Sequence, residues 1–252
     1  MRVTSAMSVR PSRRERQRAA TVDEIKDASR SLMRQHGPAN LRLAAIAKQT
    51  GMTAPALYNY FASRDALIAA LTADAYRELT HEVVTASESC ADDDVAARWM
   101  AMGTAYRCWA RREPEQFELV FGSPARPREV LAGAPTRAAA MDALSELAAL
   151  FIRAAQLKTL GAPLVSEPAD EVSECAASAF PEWGDLVPAP SLQAMLQAWA
   201  TVHGFTCLEV CNQLDWMSDR AREHLFSATL HAAAVAAGIP AQTTEAGALV
   251  PT

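Results

Sequence analysis

The chain has 252 residues, 50% of them hydrophobic, which is enough to bury a sizeable core as one unit or two. No apolar run approaches the roughly 18–20 residues that span a bilayer, and five cysteines (Cys90, Cys108, Cys175, Cys207 and Cys211) are too few and too scattered for a disulfide scaffold. The net charge of −5 hides a split: residues 1–64 carry 12 Lys or Arg against 4 Asp or Glu, and residues 65–252 carry 12 against 25. A basic N-terminal module attracts phosphate, while an acidic remainder stays off a polyanion and keeps the protein soluble.

Residues 1–18 hold six arginines, three serines and Pro11, and read as a flexible basic arm. No apolar stretch follows those arginines, so the N-terminus does not read as a secretory leader, and a reduced cytoplasmic compartment is expected. A first helix is predicted from Thr21, with Glu24 three residues on and an apolar stripe of Ile25, Ala28, Leu32 and Met33. Gly37-Pro38 stops it. A short second helix carries Leu43, Ile46 and Ala47 and ends at Gly51, where a residue without a Cβ can turn the chain. Thr53 caps the third helix, with Pro55 in its first turn. Ser63 caps a fourth helix running to about Ser89. Asp92-Asp93-Asp94 lead a fifth, on which Trp99, Met102, Tyr106 and Trp109 share one face. Pro114 opens a short sixth helix, and a long one follows from about Thr136 to Leu160. Residues 163–190 are the least regular, with a candidate helix over 169–179. Two more helices are expected at about 190–213 and 219–237, and the tail from Ala241 reads as flexible. With no alternating strand pattern, the chain reads as all-α with about nine helices.

The short second and third helices need the first and the start of the fourth to cover their apolar faces. Leu43, Ile46, Ala47, Leu57 and Phe61 are candidates for that shared core. The third helix then presents its N-terminal end to a major groove. Asn59 suits a base edge, while Thr53, Ala54 and Ala56 suit thymine methyls or backbone, with Pro55 presented beside them at the start of the helix. Tyr58, Tyr60, Arg42, Lys48 and Arg64 suit phosphates. With Ala54, Pro55 and Ala56 in front, few side chains are left to read bases.

The run Leu43-Ala44-Ala45-Ile46-Ala47-Lys48-Gln49-Thr50-Gly51-Met52-Thr53-Ala54-Pro55-Ala56-Leu57-Tyr58-Asn59-Tyr60-Phe61, followed by Ser63-Arg64-Asp65-Ala66-Leu67, resembles the N-terminal domain of TetR-type transcriptional regulators. Trp199, His203 and Gly204 resemble the Trp/His/Gly signature of one subgroup of TetR-type C-terminal domains. The resemblance implies a helix–turn–helix DNA-binding domain over 19–66 and a ligand-binding and dimerisation domain over 67–240. It implies a homodimer through the last two long helices, repressing from a palindromic double-stranded DNA operator until a small molecule releases it. Pro55 and Ala56 stand where many relatives have Ser, Lys, Gly or Thr, and Arg64 stands where lysine is common.

Trp99, Met102, Tyr106, Trp109, Phe117, Phe121, Phe151, Trp183, Met195 and Trp199 are of a size to line a pocket for an apolar or aromatic compound, with His203 beside them. The same residues also describe an ordinary helical core. Arg107, Arg111 and Arg112 read more simply as a solvated face than as an anion site. His203, Cys207 and Cys211 lie at i, i+4 and i+8, but no fourth ligand falls in register, so no metal and no cofactor is expected. A helical enzyme is the rival class; there is no glycine-rich phosphate loop, no H-E-x-x-H pair and no compact catalytic arrangement around His36, His81, His224 or His231. A protein-interaction module without specific DNA binding is the other.

Overall fold

The computed structural model describes residues 12–122, 134–165, 170–179 and 189–240. Among these residues the chain forms ten α-helices and no strand: α1 (Arg13–His36), α2 (Leu43–Gln49), α3 (Ala54–Tyr58), α4 (Arg64–Glu88), α5 (Val95–Arg112), α6 (Pro114–Phe121), α7 (Ala134–Gln156), α8 (Asp170–Ala179), α9 (Ala189–Val210) and α10 (Asp219–Ala236). The all-α expectation holds, and the tenth helix is the candidate at 169–179.

Helix α1 starts earlier than its apolar stripe suggests. Ser12 accepts a hydrogen bond from the Glu15 amide, and the Glu15 carboxylate accepts one from the Ser12 amide. This reciprocal cap satisfies two end donors and moves the start eight residues ahead of Thr21. Residues 13–18 of the expected arm are therefore helical, and the Thr21 hydroxyl bonds back to the Gln17 carbonyl inside the helix. At the other end, φ at Gly37 is +76°, a left-handed value that favours glycine.

The turn between α2 and α3 has a specific cause. Gly51 adopts φ +66°, its amide reaches the Lys48 carbonyl, and the Met52 amide reaches the Ala47 carbonyl at 2.9 Å. Those two bonds cap the last carbonyls of α2 and reverse the chain. Thr53 then caps α3 through the Ala56 amide. Ile25, Met33, Ile46, Ala47, Leu57, Phe61, Leu67, Ile68 and Leu71 close one apolar core beneath this corner. Four of the five residues expected there are buried, and Leu43 is half-buried against them. Leu119 of α6 enters the same core, so the larger domain is keyed into the smaller one.

Asp74 on α4 collects Lys26 at 2.8 Å and Arg30 at 3.0 Å from α1, and Arg77 at 2.7 Å from its own helix. That cluster fixes the angle between α1 and α4. Beyond it, α4 lies against α5, α6 and α7, while α9 and α10 pack on each other and on α5. A Cβ at Gly103 would strike the Leu230 side chain, which would have to shift, so glycine eases the close approach of α5 and α10 there. Helix α7 stops at Gln156 rather than near Leu160. Lys158 turns to φ +57°, and the Thr159 amide bonds the Ala154 carbonyl at 3.0 Å, which ends the helix.

Arg107 departs from the expected solvated face. It is 3% exposed and makes a two-pronged ion pair with Glu209 of α9, at 2.6 and 2.7 Å, with Glu223 of α10 at 3.2 Å. The Phe226 ring lies 4.7 Å beneath the guanidinium. Removing one partner of such a pair leaves the other charged and buried. Glu209→Ala is expected to lower stability by about 3–5 kcal/mol in urea unfolding, with Arg107→Met/Glu209→Leu recovering much of that loss.

Candidate nucleic-acid interface and cavity

The outer face of the helix–turn–helix is open. Thr53, Ala54, Pro55, Tyr58 and Asn59 are exposed, as are Arg42 and Lys48, while Ala56 and Tyr60 are half-buried. The regular part of α3 ends at Tyr58, but the Tyr60 and Phe61 amides still bond the Leu57 carbonyl, so Asn59 and Tyr60 continue the turn. Tyr58 is 53% exposed, which is unusual for so large a ring. Arg42 precedes α2, whose N-terminus has no side-chain cap.

Two arginines behave differently from the rest. Arg64 turns inward: its Nε donates to the Leu41 carbonyl at 2.7 Å and its Nη2 to the carbonyls of Pro38 and Ala39. The guanidinium thus ties the start of α4 to the loop before α2. Arg18 reaches across 41 residues of sequence to the Asn59 carbonyl at 3.1 Å, with its guanidinium 5.1 Å from the Tyr60 ring centre. Sequence spacing gave no hint of Arg18, because its residue range reads as a loose arm. The helical start of α1 makes it a brace for the turn after α3 and leaves Arg13 and Arg14 exposed on the same helix.

A cavity of about 370 Å³ opens in the larger domain between α4, α5, α7 and α9. Of the residues read as pocket candidates, Trp99, Met102, Tyr106, Phe121 and Trp199 line it. Trp109, Phe117, Phe151 and Met195 do not; they are buried in the cores around it. Trp183 lies outside the described residues. Sequence reasoning missed the walls from α4 and α7: Tyr76, Leu79, Thr80 and Val83 on the first, and Met141, Leu144, Glu146 and Leu147 on the second. Both helices show ordinary amphipathic stripes, and nothing local separates a stripe that meets a void from one that meets a neighbour.

His203 sits behind the cavity rather than in its wall. Its Nδ1 lies 2.7 Å from the Tyr106 hydroxyl and its Nε2 lies 3.3 Å from Cys207 Sγ. Either tautomer satisfies both contacts, with the phenol donating to Nδ1 and Nε2–H facing sulfur, or the reverse. Trp199 stacks on the imidazole at 5.1 Å with only 10° between planes. Burial pushes the His203 pKa down, and it pushes the Tyr106 phenol and the Cys207 thiol up, so this chain of groups is neutral. Cys211 is exposed and outside the chain. Among the described residues no three His, Cys, Asp or Glu side chains gather to hold a metal ion, and no helix is long and apolar enough to cross a membrane.

Residues 25–71 match the family model for bacterial regulatory proteins of the tetR family, and residues 99–233 match a tetracyclin repressor-like C-terminal domain. HTH-type transcriptional regulators of Mycobacterium bovis and Mycobacterium tuberculosis are 37% identical to the chain over 122 residues, 45% of this chain. The chain spans 50% of the length of those curated relatives. The crystal structure of SCO4313, itself described only as a proposed regulatory protein, is 29% identical and superposes with a TM-score of 0.65 over 88% of this chain and 98% of its own. A Rhodococcus protein of unknown function shares the fold at 20% identity and a TM-score of 0.63, over 84% of this chain and 94% of its own.

The depressed His203 pKa has a consequence for stability. The unfolded chain takes up a proton as pH falls below the ordinary histidine value of 6.5, and the folded chain resists it. Stability from this residue is therefore full above that pH and is lost as pH falls toward the folded value. Urea midpoints compared at about pH 7.5 and about pH 5.5 are expected to drop more for the natural protein than for His203→Gln.

Proposed function

Because this chain belongs to the tetR family of bacterial regulatory proteins, we propose that it is a cytoplasmic, dimeric transcriptional repressor that binds a palindromic operator and is released by a small apolar or aromatic effector. The observation that carries the proposal is the placement of α4. Its first turns (Leu67, Ile68 and Leu71) are part of the helix–turn–helix core, and its next turns (Tyr76, Leu79, Thr80 and Val83) are a wall of the cavity. A compound filling the cavity pushes on the helix that carries the module.

On DNA, the N-terminal end of α3 enters the major groove. Asn59 reaches a base edge, Thr53, Ala54, Pro55 and Ala56 approach thymine methyls and backbone, and Tyr58, Tyr60, Arg42 and Lys48 position on phosphates. Arg64 acts one step removed, by holding α4 to the loop before α2. With so few polar groups at the front of α3, most of the affinity is phosphate-based and salt-sensitive.

The dimer forms through α9 and α10. On α9 the exposed residues Ala200, Gly204 and Leu208, continued by Cys211 just past its end, fall on one stripe, and on α10 Leu225, Ala228, Ala232 and Val235 fall on another. A side chain at Gly204 would meet open space, while Leu208, Leu225 and Val235 are 48, 44 and 58% exposed. Two small-residue stripes bearing a few large apolar groups suit close packing against a second copy across a twofold axis. The Trp199/His203/Gly204 signature fits the same arrangement, with Trp199 at the cavity, His203 anchoring Tyr106 behind it and Gly204 facing the partner.

Two recognition helices must sit roughly 34–36 Å apart to enter successive major grooves. The effector acts only by favouring a different separation. The direct test is footprinting of the purified protein on the DNA upstream of its own gene. The expected result is one protected region with twofold symmetry, whereas a salt-sensitive smear with no protected site would refute the repressor assignment. Arg42→Ala and Lys48→Ala are each expected to reduce the slope of log affinity against log salt by about 1 per protomer. Leu208→Glu/Leu225→Glu is expected to run as a folded monomer in light scattering and to lose the protected site.

A further inference from the structure

We propose that the cavity is built for a hydrophobic cation: an apolar or aromatic body among the rings of Tyr76, Trp99, Phe121 and Trp199, with a single ammonium-type charge held at Glu146. The proposal rests on the effector-cavity reading and names the chemistry of the compound.

Among the described residues, Glu146 is the one formally charged side chain in the cavity wall, which is otherwise aliphatic and aromatic apart from the hydroxyls of Thr80, Tyr76 and Tyr106. The Thr80 hydroxyl is used by the Tyr76 carbonyl, and the Tyr106 hydroxyl by His203. No donor or cation among the described residues pairs with the Glu146 carboxylate. A half-buried carboxylate on an apolar surface, left without a partner, is costly to ionise unless a cation arrives with the ligand.

The surroundings sharpen that preference. Glu146 also borders a second, more polar cavity of about 340 Å³, which shares Met102 with the first. That cavity is lined by Glu88, Asp92, Arg98 and Arg153 as well. Both of its arginines are turned toward Asp92: Arg98 lies 3.1 Å from one carboxylate oxygen, and Arg153 binds the other. Glu88 and Asp142 instead raise the Glu146 pKa further, beyond what burial does. The formal charge around this point is therefore negative, since Glu88, Asp92, Asp142 and Glu146 outnumber Arg98 and Arg153, and neither arginine bonds Glu146. His203, behind the apolar cavity, is held neutral by burial. Aromatic faces attract a cation through their quadrupole, most strongly when water is excluded. An apolar wall of rings with one unpaired carboxylate therefore selects positive charge combined with bulk, and rejects anions.

Calorimetric titration of the full-length protein separates the possibilities. The probes are 4-phenylbutyl-trimethylammonium and its uncharged isostere, in which carbon replaces the nitrogen. The cation is expected to bind at least about tenfold more tightly than the isostere. Glu146→Gln is expected to erase that difference and leave the isostere's affinity unchanged, which also verifies that the variant is folded. An isostere that binds as well as the cation, or a Glu146→Gln variant that holds the cation undiminished, would overturn the cation assignment and leave the effector cavity standing. Failure of both probes to bind the natural protein would overturn the cavity reading together with the assignment.

Discussion

Helix α4 packs its first turns into the core of the helix–turn–helix and its middle turns against the cavity, and no glycine or proline interrupts its 25 residues. A helix of that length is about 37 Å long and stiff on the scale of a single turn. It cannot tilt at one end alone. Three further contacts make the coupling rigid. Asp74 binds Lys26 and Arg30 of α1, Leu119 of α6 sits in the small core, and the Thr136 hydroxyl at the start of α7 donates to the Ala69 carbonyl. The two domains are joined by shared packing rather than by a linker. In the proposed mechanism, displacement at the cavity reaches α3 through this packing, without a separate relay.

The cavity has its own structural cause. Trp99 donates its indole hydrogen to the Leu230 carbonyl at 2.9 Å, and Tyr106 is fixed by His203. Phe117, Phe121 and His203 cluster beside them, with ring centres 4.7 to 5.8 Å apart. Large rings held by polar tethers cannot collapse into the space between them, so it stays open. The buried Arg107–Glu209 pair lies on the far side of the same helices and locks α5 to α9. The larger domain thus combines a fixed frame of α5, α9 and α10 with a wall, α4, that also serves the other domain.

Much of this was legible in the residues. Gly51, Thr53, Ser63 and Asp94 mark helix ends by their own chemistry, and each performs the expected role. Local caps depend on neighbours within about four residues, so sequence carries them. The same logic placed the start of α1 at Thr21, but Ser12 and Glu15 form the better cap, and the polar residues between gave no periodicity to reveal it. The inward contacts of Arg107 and Arg64 could not be read from the residues alone. Their partners lie 102 and 23–26 residues away, and an arginine on a helix looks alike whether it faces water or a buried carboxylate. The aromatic residues divided by the same rule: Trp99 and Tyr106 meet the void while Trp109 and Phe151 meet neighbours, a distinction made only in three dimensions. Glu146 escaped notice because a single glutamate on an amphipathic helix is ordinarily solvated.

If α4 acts as a lever between cavity and α3, the separation of the two α3 helices in the proposed dimer measures it most directly. Spin labels placed at Gln49, exposed beside the turn before α3, report that separation by pulsed electron resonance. Bound to operator DNA, the labels should show one narrow distance; a compound that fills the cavity and releases the DNA should shift that distance by several ångströms. Release of the DNA with the distance unchanged would contradict the lever.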